Sequence, residues 1–260
     1  ENANEATERR LEAKLVSYGI STSEFMSNLW EKCMEFGREK YVITGFPRND
    51  CLIKVPDENK HKWKNFLNGE IIENTILYAP TYRPGKIPTT FFPFPDYSKD
   101  LLLDLLESTK TNLLLRPHLT DLTKYKDLRD FLNDLSSNKR IKLATHKEFA
   151  DINTLLPFID VLITDYSSIY HDFLLLNKPM IFFPYDYDQY NKRSGFLYDY
   201  FENLPGPSVN NFNDFSKELR SVTSGSDNYA KKRAFLTEQI HEYSDANSCE
   251  RASKLIENLL

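Results

Sequence analysis

The sequence is poor in the motifs from which many phosphate-binding sites are built. Only 8 of its 260 residues are glycine, and it contains neither a G-x-G-x-x-G nor a G-x-x-x-x-G-K-[ST] motif. Both motifs hold phosphates against glycine-rich backbone, so a dinucleotide fingerprint and a P-loop are excluded. Any phosphate that this chain binds must therefore be held by other groups.

Cysteine and long apolar runs are scarce as well. Cys33, Cys51 and Cys249 are widely spaced, which fits a reducing cytoplasm and predicts no metal cluster. The sequence lacks any run of about 18 apolar residues, and the polar stretch 1–10 lacks a signal-peptide core. The net charge of −5 argues against nucleic acid as a partner. With 40% hydrophobic and 27% charged residues, the composition is that of a globular protein.

Short apolar runs alternate with amphipathic stretches along most of the chain. This alternation predicts a parallel sheet covered by helices on both faces, which is a Rossmann-like α/β fold. The predicted strands are 41–45, 74–79, 111–116, 140–144, 159–163 and 179–183. The predicted helices are 4–17, 22–36, 58–67, 97–108, 126–135, 150–157, 168–176, 211–222, 226–241 and 247–259.

Serines follow one predicted strand at the point where the chain turns into a helix. Parallel sheets bind ligands at the carboxyl ends of their strands, so residues in this position are candidates for a site. Ser167 and Ser168, after strand 159–163, can offer hydroxyls and free helix N–H groups to a phosphate. The spacing fits equally well with serines that only cap their own helix.

A basic residue and a histidine follow two other predicted strands. Arg83, after strand 74–79, can grip a phosphate through parallel hydrogen bonds, and a surface ion pair is the alternative. His118 follows Pro117 at the end of strand 111–116, where it can donate to a leaving-group oxygen. The other four histidines are predicted to be structural: His61, His146, His171 and His241.

Two further segments each have more than one interpretation. Asp186 and Asp188 form the Asp-x-Asp pattern of some glycosyltransferase metal sites, but a lone pair is a weak signal and no metal site is predicted. The aromatic and proline-rich segment 198–207 is either a loop that folds over the site or surface packing.

Several segments resemble the CDP-glycerol glycerophosphotransferase family, which polymerises teichoic acids and similar capsule chains. The order and spacing match over residues 20–210, and the block 165–207 is the most specific part. The matching segments are TGFPRND (44–50), YAPTYR (78–83), RPH (116–118), ITDYSSIYHDFLLLNKPMIFFPYDYDQY (163–190), RSGFLYDYF (193–201) and LPGP (204–207).

The resemblance implies a donor-binding domain of the GT-B type at 51–260, preceded at 1–50 by a remnant of an acceptor domain and linker. It implies transfer of glycerol phosphate or another alditol phosphate from CDP-glycerol or CDP-ribitol, with release of CMP. The expected acceptor is a hydroxyl of a lipid-linked or oligosaccharide polymer, and no cofactor is expected. A cytoplasmic position, peripheral to the inner face of the cell membrane, is also expected.

The resemblance further implies roles for individual residues. His118 is expected to be catalytic, and Arg83, Ser167 and Ser168 to bind the diphosphate. Asp165 is expected to shape the site, because a carboxylate repels an anion. Arg116 and Thr81 are also expected to shape it, and the residues expected to contact the nucleotide or alditol are Tyr82, Tyr166, Arg193 and Glu202.

One family segment has no counterpart in this sequence. Family members carry a His-Gly-x-Pro segment whose histidine is the proposed base for the acceptor, and this sequence contains none. A missing N-terminal acceptor domain is therefore expected. Two other functions stay open: a GT-B glycosyltransferase that uses a UDP- or CMP-sugar, and a non-catalytic nucleotide-binding module.

Overall fold

A five-stranded parallel sheet forms the centre of the molecule. A computed structural model describes residues 15–34, 36–68, 73–83 and 88–259. The strands are β1 (Gly19–Ser21), β2 (Tyr41–Ile43), β3 (Asn74–Tyr78), β4 (Thr111–Leu115), β5 (Ile141–Leu143), β6 (Val161–Thr164) and β7 (Met180–Phe182). The central sheet has the order β5-β4-β3-β6-β7, while β1 and β2 form a separate parallel pair. The predicted Rossmann-like fold and all of its predicted strands are confirmed.

Helices cover both faces of this sheet. The helices are α1 (Glu24–Cys33), α2 (Asp50–Ile53), α3 (Asp57–Leu67), α4 (Lys99–Ser108), α5 (Leu119–Lys124), α6 (Lys126–Ser136), α7 (Ile169–Leu174), α8 (Tyr187–Ser194), α9 (Phe212–Thr223), α10 (Ala230–Ile240) and α11 (Ser248–Glu257). The short helices α2, α5 and α8 were not predicted. The predicted helix 4–17 lies outside the described residues except at its end. No described helix is both long enough and apolar enough to cross a bilayer.

One predicted helix, 150–157, is wrong. The segment forms two short 3₁₀ turns, because Pro157 cannot donate a backbone hydrogen bond and Asp151 caps the first turn. The Asp151 carboxylate accepts from the Asn153 N–H at 2.9 Å. The two turns are Ile152–Thr154 and Leu156–Phe158.

The strands are buried on both faces, which explains their continuous apolar sequences. In β3, Leu77 belongs to one core cluster and its neighbours Ile76 and Tyr78 belong to the other, as the alternation of side chains along a strand requires. All three side chains are fully buried. Helices α1, α7 and α10 contribute to the first cluster, and helices α4, α6 and α9 contribute to the second.

The first described segments pack on the same body as the sheet. Met26 of α1 shares a core cluster with Leu77 of β3. The Asp50 carboxylate accepts from the backbone N–H groups of Ser248 at 2.9 Å and Cys249 at 2.8 Å, so it caps α11. The predicted domain boundary at residue 50 stays a prediction, since these contacts join both sides of it.

The segment 204–209 packs beside β7 instead of covering a site. The Phe182 N–H donates to the Pro207 carbonyl at 2.9 Å, and the Val209 N–H donates to the Phe182 carbonyl at 2.9 Å. A Cβ atom at Gly206 would lie 2.0 Å from the Met180 carbonyl oxygen, so only glycine permits this approach. Of the two interpretations of 198–207, packing is the one that the structure supports.

Candidate active site

A cavity of about 590 Å³ lies at the carboxyl ends of the sheet strands. Its walls come from the segments that follow β3, β4, β5 and β6. Because β3 pairs with β4 on one side and β6 on the other, the cavity lies at the point where the strand order reverses. Open α/β sheets bind their ligands in such crevices. The wall residues of these four segments include Pro80, Arg116, His118, His146, Ser167 and Ser168.

His118 lies on the cavity wall with an exposed side chain. Its Nδ1 accepts a hydrogen bond from the Thr120 N–H at 3.2 Å, which caps α5. The neutral ring therefore carries its proton on Nε2 and can donate it to a ligand. The ring of Tyr82 stacks on the imidazole with a centroid distance of 4.4 Å and an interplanar angle of 27°. Tyr82 thus lies beside the site by contacting His118.

Ser167 and Ser168 form the wall that follows β6. The Ile169 N–H donates to the Ser167 Oγ at 3.5 Å, which is a long hydrogen bond. Ser168 is the N-cap of α7, and its side chain caps no N–H group of that helix. Both serines line a cavity that can hold a ligand, so capping does not account fully for either of them.

The predicted diphosphate-binding role of Arg83 stays a prediction, and the structure places this side chain between two carboxylates. Its side chain is nearly buried and does not lie on the cavity wall. The guanidinium donates to Asp165 at 2.8 Å, to Asp186 at 2.7 and 2.9 Å, and to the Thr81 carbonyl at 2.7 Å. Two carboxylates already neutralise this cation and use most of its N–H groups, so little of it is left for a phosphate.

Asp165 and Thr81 connect the ends of β3 and β6. The Asp165 Oδ1 accepts from the Thr81 N–H at 2.8 Å, from the Thr81 hydroxyl at 2.6 Å and from the Tyr166 N–H at 2.7 Å. The Tyr200 hydroxyl donates to the Asp165 carbonyl at 3.0 Å. These bonds hold the Asp-Tyr-Ser-Ser turn against the end of β3, and they suit residues that shape a site without contacting the ligand.

Three of the predicted nucleotide or alditol contacts lie off the cavity wall. The ring of Tyr166 stacks on Tyr190 of α8 with a centroid distance of 4.2 Å and does not line the cavity. Arg193, near the end of α8, is exposed to solvent. Glu202 is exposed in a turn whose N–H donates to Asp199 at 2.9 Å. The predicted contacts of Tyr166, Arg193 and Glu202 with the nucleotide or alditol stay predictions, and their positions off the cavity wall do not favour them.

Several wall residues were not predicted as site residues. Arg48 pairs with Asp172 of α7 through hydrogen bonds of 3.1 and 3.3 Å. His146 lies beside Arg116, with 3.4 Å between its Nδ1 and the guanidinium. The position of His146 shortly after β5 is the same strand-end signal that identified His118. Arg48 also follows a predicted strand, 41–45, but this strand lies outside the central sheet, and only tertiary packing brings Arg48 to α7.

The first aspartate of the Asp-x-Asp pair has a cation as its partner. Asp186 is the partner of Arg83, and its carboxylate accepts two hydrogen bonds from that guanidinium. Across the described ranges, no cluster of three or more histidine, cysteine, aspartate or glutamate side chains is arranged to hold a metal ion.

The free energy of unfolding is expected to fall as the pH drops from about 6.5 to about 4. Burial lowers the pKa of His171 to about 4, and burial also lowers the pKa of His241. Within this window His171 binds a proton in the unfolded chain but not in the folded one. The free energy of unfolding therefore falls by about 1.4 kcal/mol for each pH unit. The full stabilisation is present above pH 6.5 and is lost toward pH 4. Urea unfolding across this range measures the slope, and a His171→Asn variant with the same slope would contradict this origin.

Comparison with known proteins connects this fold and site to one family. The family model for CDP-glycerol:poly(glycerophosphate) glycerophosphotransferase matches residues 1–258. The chain is 28% identical over 250 residues to a teichoic acid glycerol-phosphate transferase of Staphylococcus aureus, covering 94% of this chain and 61% of that protein. It is 29% identical over 254 residues to a teichoic acid glycerol-phosphate primase of Bacillus subtilis. That match covers 97% of this chain and 61% of the primase. The chain thus spans about three fifths of the length of these relatives.

A solved structure supports the same relationship. The wall teichoic acid polymerase TagF, in a crystal soaked with CDPG, superposes with a TM-score of 0.78 at 25% identity. The match covers 99% of this chain and 60% of that one. The predicted α/β fold of the GT-B type is thereby confirmed, and so is the family resemblance. The chain belongs to the CDP-glycerol:poly(glycerophosphate) glycerophosphotransferase family.

Proposed function

We propose that this chain binds a CDP-alditol for an alditol-phosphate transferase. Glycerol phosphate, or another alditol phosphate, moves from the donor to a hydroxyl of a growing teichoic-acid-like or capsular polymer, and CMP is released. The main support is the convergence of His118 with Ser167 and Ser168 on the walls of one strand-end cavity. These residues lie in the RPH and DYSS segments, which are separated by about 50 residues in the chain.

The proposed reaction is an in-line displacement at the phosphorus that carries the alditol. The acceptor oxygen forms a new bond to this phosphorus while the bond to the bridging oxygen of CMP breaks. The Nε2–H of His118 donates to that bridging oxygen and stabilises the charge that develops on it. The Ser167 and Ser168 hydroxyls hold the diphosphate in line with the attacking oxygen. The proton of the acceptor hydroxyl passes to a base. We assign this base to the acceptor-binding domain.

The proposal includes partners. The names of the relatives are those of teichoic acid transferases, primases and polymerases, which favours a polymer acceptor. We propose that the acceptor is lipid-linked and that the enzyme acts at the inner face of the membrane as a peripheral protein. An acceptor-binding domain at the N-terminal side completes the unit, in keeping with the greater length of the relatives. The reaction needs no metal or cofactor under this proposal, because a cationic side chain, hydroxyls and backbone N–H groups stabilise the diphosphate.

Calorimetric titration with three donors tests the proposed function. We expect the chain to bind CDP-glycerol or CDP-ribitol with micromolar affinity, and the preferred ligand identifies the alditol. A Ser167→Ala, Ser168→Ala double variant should bind that ligand at least about tenfold more weakly, because two hydrogen bonds to a charged group are lost. UDP-glucose should not compete with the bound CDP-alditol.

Two outcomes would contradict this proposal. Tighter binding of UDP-glucose than of either CDP-alditol would favour a glycosyltransferase. Binding of CDP-glycerol without any CMP release, in the presence of both an acceptor and the acceptor-binding domain, would favour a non-catalytic module.

A further inference from the structure

Arg116 is a cation on the cavity wall, and it pairs with none of the carboxylates that the structure describes. It directly follows β4, where its backbone N–H donates to the Tyr78 carbonyl at 2.9 Å, so its position on the sheet is fixed. The side chain is half-buried and borders the cavity. Among the described residues, none of the carboxylates forms an ion pair with it. Arg83, by contrast, has two such partners.

Neutral groups hold the Arg116 guanidinium in place. Its Nη1 donates to the Ala144 carbonyl at 2.9 Å, and its Nη2 lies 3.4 Å from the Nδ1 of His146. Since arginine can only donate, Nδ1 of His146 is the acceptor in this long contact. These two contacts orient the guanidinium without neutralising it, and its other N–H groups have no hydrogen-bond partner among the described residues.

The nearest carboxylates are engaged elsewhere. Asp151 caps a 3₁₀ turn through Asn153, and Glu148 accepts from the Thr145 hydroxyl. Burial lowers the pKa of Arg116, and the more distant charges of Glu148 and Asp151 oppose this shift only in part. A cation in this state gains more from a bound anion than one that is already paired, because its lost hydration is only partly compensated.

We propose that Arg116 is the arginine that binds the donor diphosphate, in the role that the sequence suggested for Arg83. The inference rests on the proposed function, since it names the cation that neutralises the CDP-alditol. Arg116 lies two residues from His118, so a diphosphate held between the Ser167–Ser168 wall and Arg116 has its bridging oxygen near the imidazole. His146 acts as a positioning residue that orients Arg116.

Titration of single variants with CDP and cytidine tests the inference. We expect Arg116→Gln to bind CDP on the order of 10- to 100-fold more weakly, because charge-assisted hydrogen bonds to phosphate are lost. Its affinity for cytidine, which carries no phosphate, should change by less than about threefold. Arg116→Lys, which keeps the charge but not the planar fork, should give an intermediate loss. The salt dependence of CDP binding should also be weaker in Arg116→Gln than in the wild type.

Two other arginines provide the comparison. Arg140 precedes β5, so it lies at the amino ends of the strands, opposite the cavity. It pairs with Glu107 at 2.6 Å. Arg140→Gln is therefore a matched control that should bind CDP normally. Arg48 also lies on the cavity wall, and its pairing with Asp172 predicts a smaller loss for Arg48→Gln. A larger loss in Arg48→Gln than in Arg116→Gln would overturn the inference.

The failure of this inference differs from the failure of the proposed function. If the wild type binds CDP-glycerol and Arg116→Gln, with an unchanged unfolding midpoint, binds it equally well, only the role of Arg116 is wrong. If Arg116→Gln is unstable, unaltered CDP binding by Arg116→Lys and His146→Ala together would refute the role. If the wild type binds no cytidine nucleotide, the proposed function falls and this inference with it.

Discussion

Replacing His118 with asparagine is expected to slow CMP release from CDP-glycerol by about 10²- to 10⁴-fold, the usual contribution of a positioned acid or base. Asparagine can still cap α5, because its side-chain oxygen can accept from the Thr120 N–H as Nδ1 does now. The fold around the site should therefore persist. What is lost is the Nε2–H donor to the bridging oxygen, which acts mainly in the transition state. The turnover number should fall far more than the affinity for the donor.

The measurement compares His118→Asn with His118→Ala and His61→Ala in the presence of a poly(glycerol phosphate) acceptor and the acceptor-binding domain. His118→Ala loses both the cap and the donor, so it should be as slow and also less stable by roughly 1 kcal/mol. His61 is exposed on α3, away from the cavity, and its replacement should leave both properties unchanged. Normal turnover in His118→Asn would show that His118 does not act on the leaving group.

The central sheet could be predicted from the sequence because of how its strands are buried. Strands covered on both faces require apolar residues at every position, and such runs are easy to recognise. The ligand edge followed from the parallel order, since all carboxyl ends meet on one side. The helix predicted at 150–157 failed because the apolar spacing of this segment is helical, whereas Pro157 and the cap at Asp151 break it into turns.

The partners of charged side chains could not be predicted in the same way. Arg83 and its partner Asp186 are 103 residues apart in the chain, and no local pattern indicates that they meet. From the sequence, Arg83 could bind a phosphate or form a surface ion pair, and folding gives it two carboxylate partners. Arg116 shows the opposite case, because it was predicted only to shape the site and yet has no ion-pair partner among the described carboxylates. Its lack of a carboxylate partner among the described residues became visible only with the positions of Asp151 and Glu148.

Replacing Arg83 with methionine is expected to lower the free energy of unfolding by about 3–5 kcal/mol, which corresponds to a fall in Tm of roughly 6–20 °C. The Asp165 side chain is 1% exposed and that of Asp186 is 16% exposed. Without the guanidinium, both carboxylates lose a hydrogen-bonded counter-charge in a site that excludes most water. The packing of the guanidinium over the ring of Tyr166, at 5.1 Å, is also lost. Urea unfolding at neutral pH measures this change.

Neutralising the Asp165 and Asp186 carboxylates in the Arg83→Met variant should restore part of the lost stability. A triple variant with Arg83→Met, Asp165→Asn and Asp186→Asn should be more stable than Arg83→Met alone, because neutral amides cost less to bury than carboxylates. Arg140→Gln breaks the more exposed pair with Glu107 and should cost less than about 1 kcal/mol. If Arg83→Met lost less than about 1 kcal/mol of stability and instead lost CDP binding, Arg83 would be a ligand of the diphosphate. A large loss of stability, with CDP binding retained by the folded fraction, would leave the anion to Arg116 and make Arg83 the residue that ties the ends of β3 and β6 to the segment after β7.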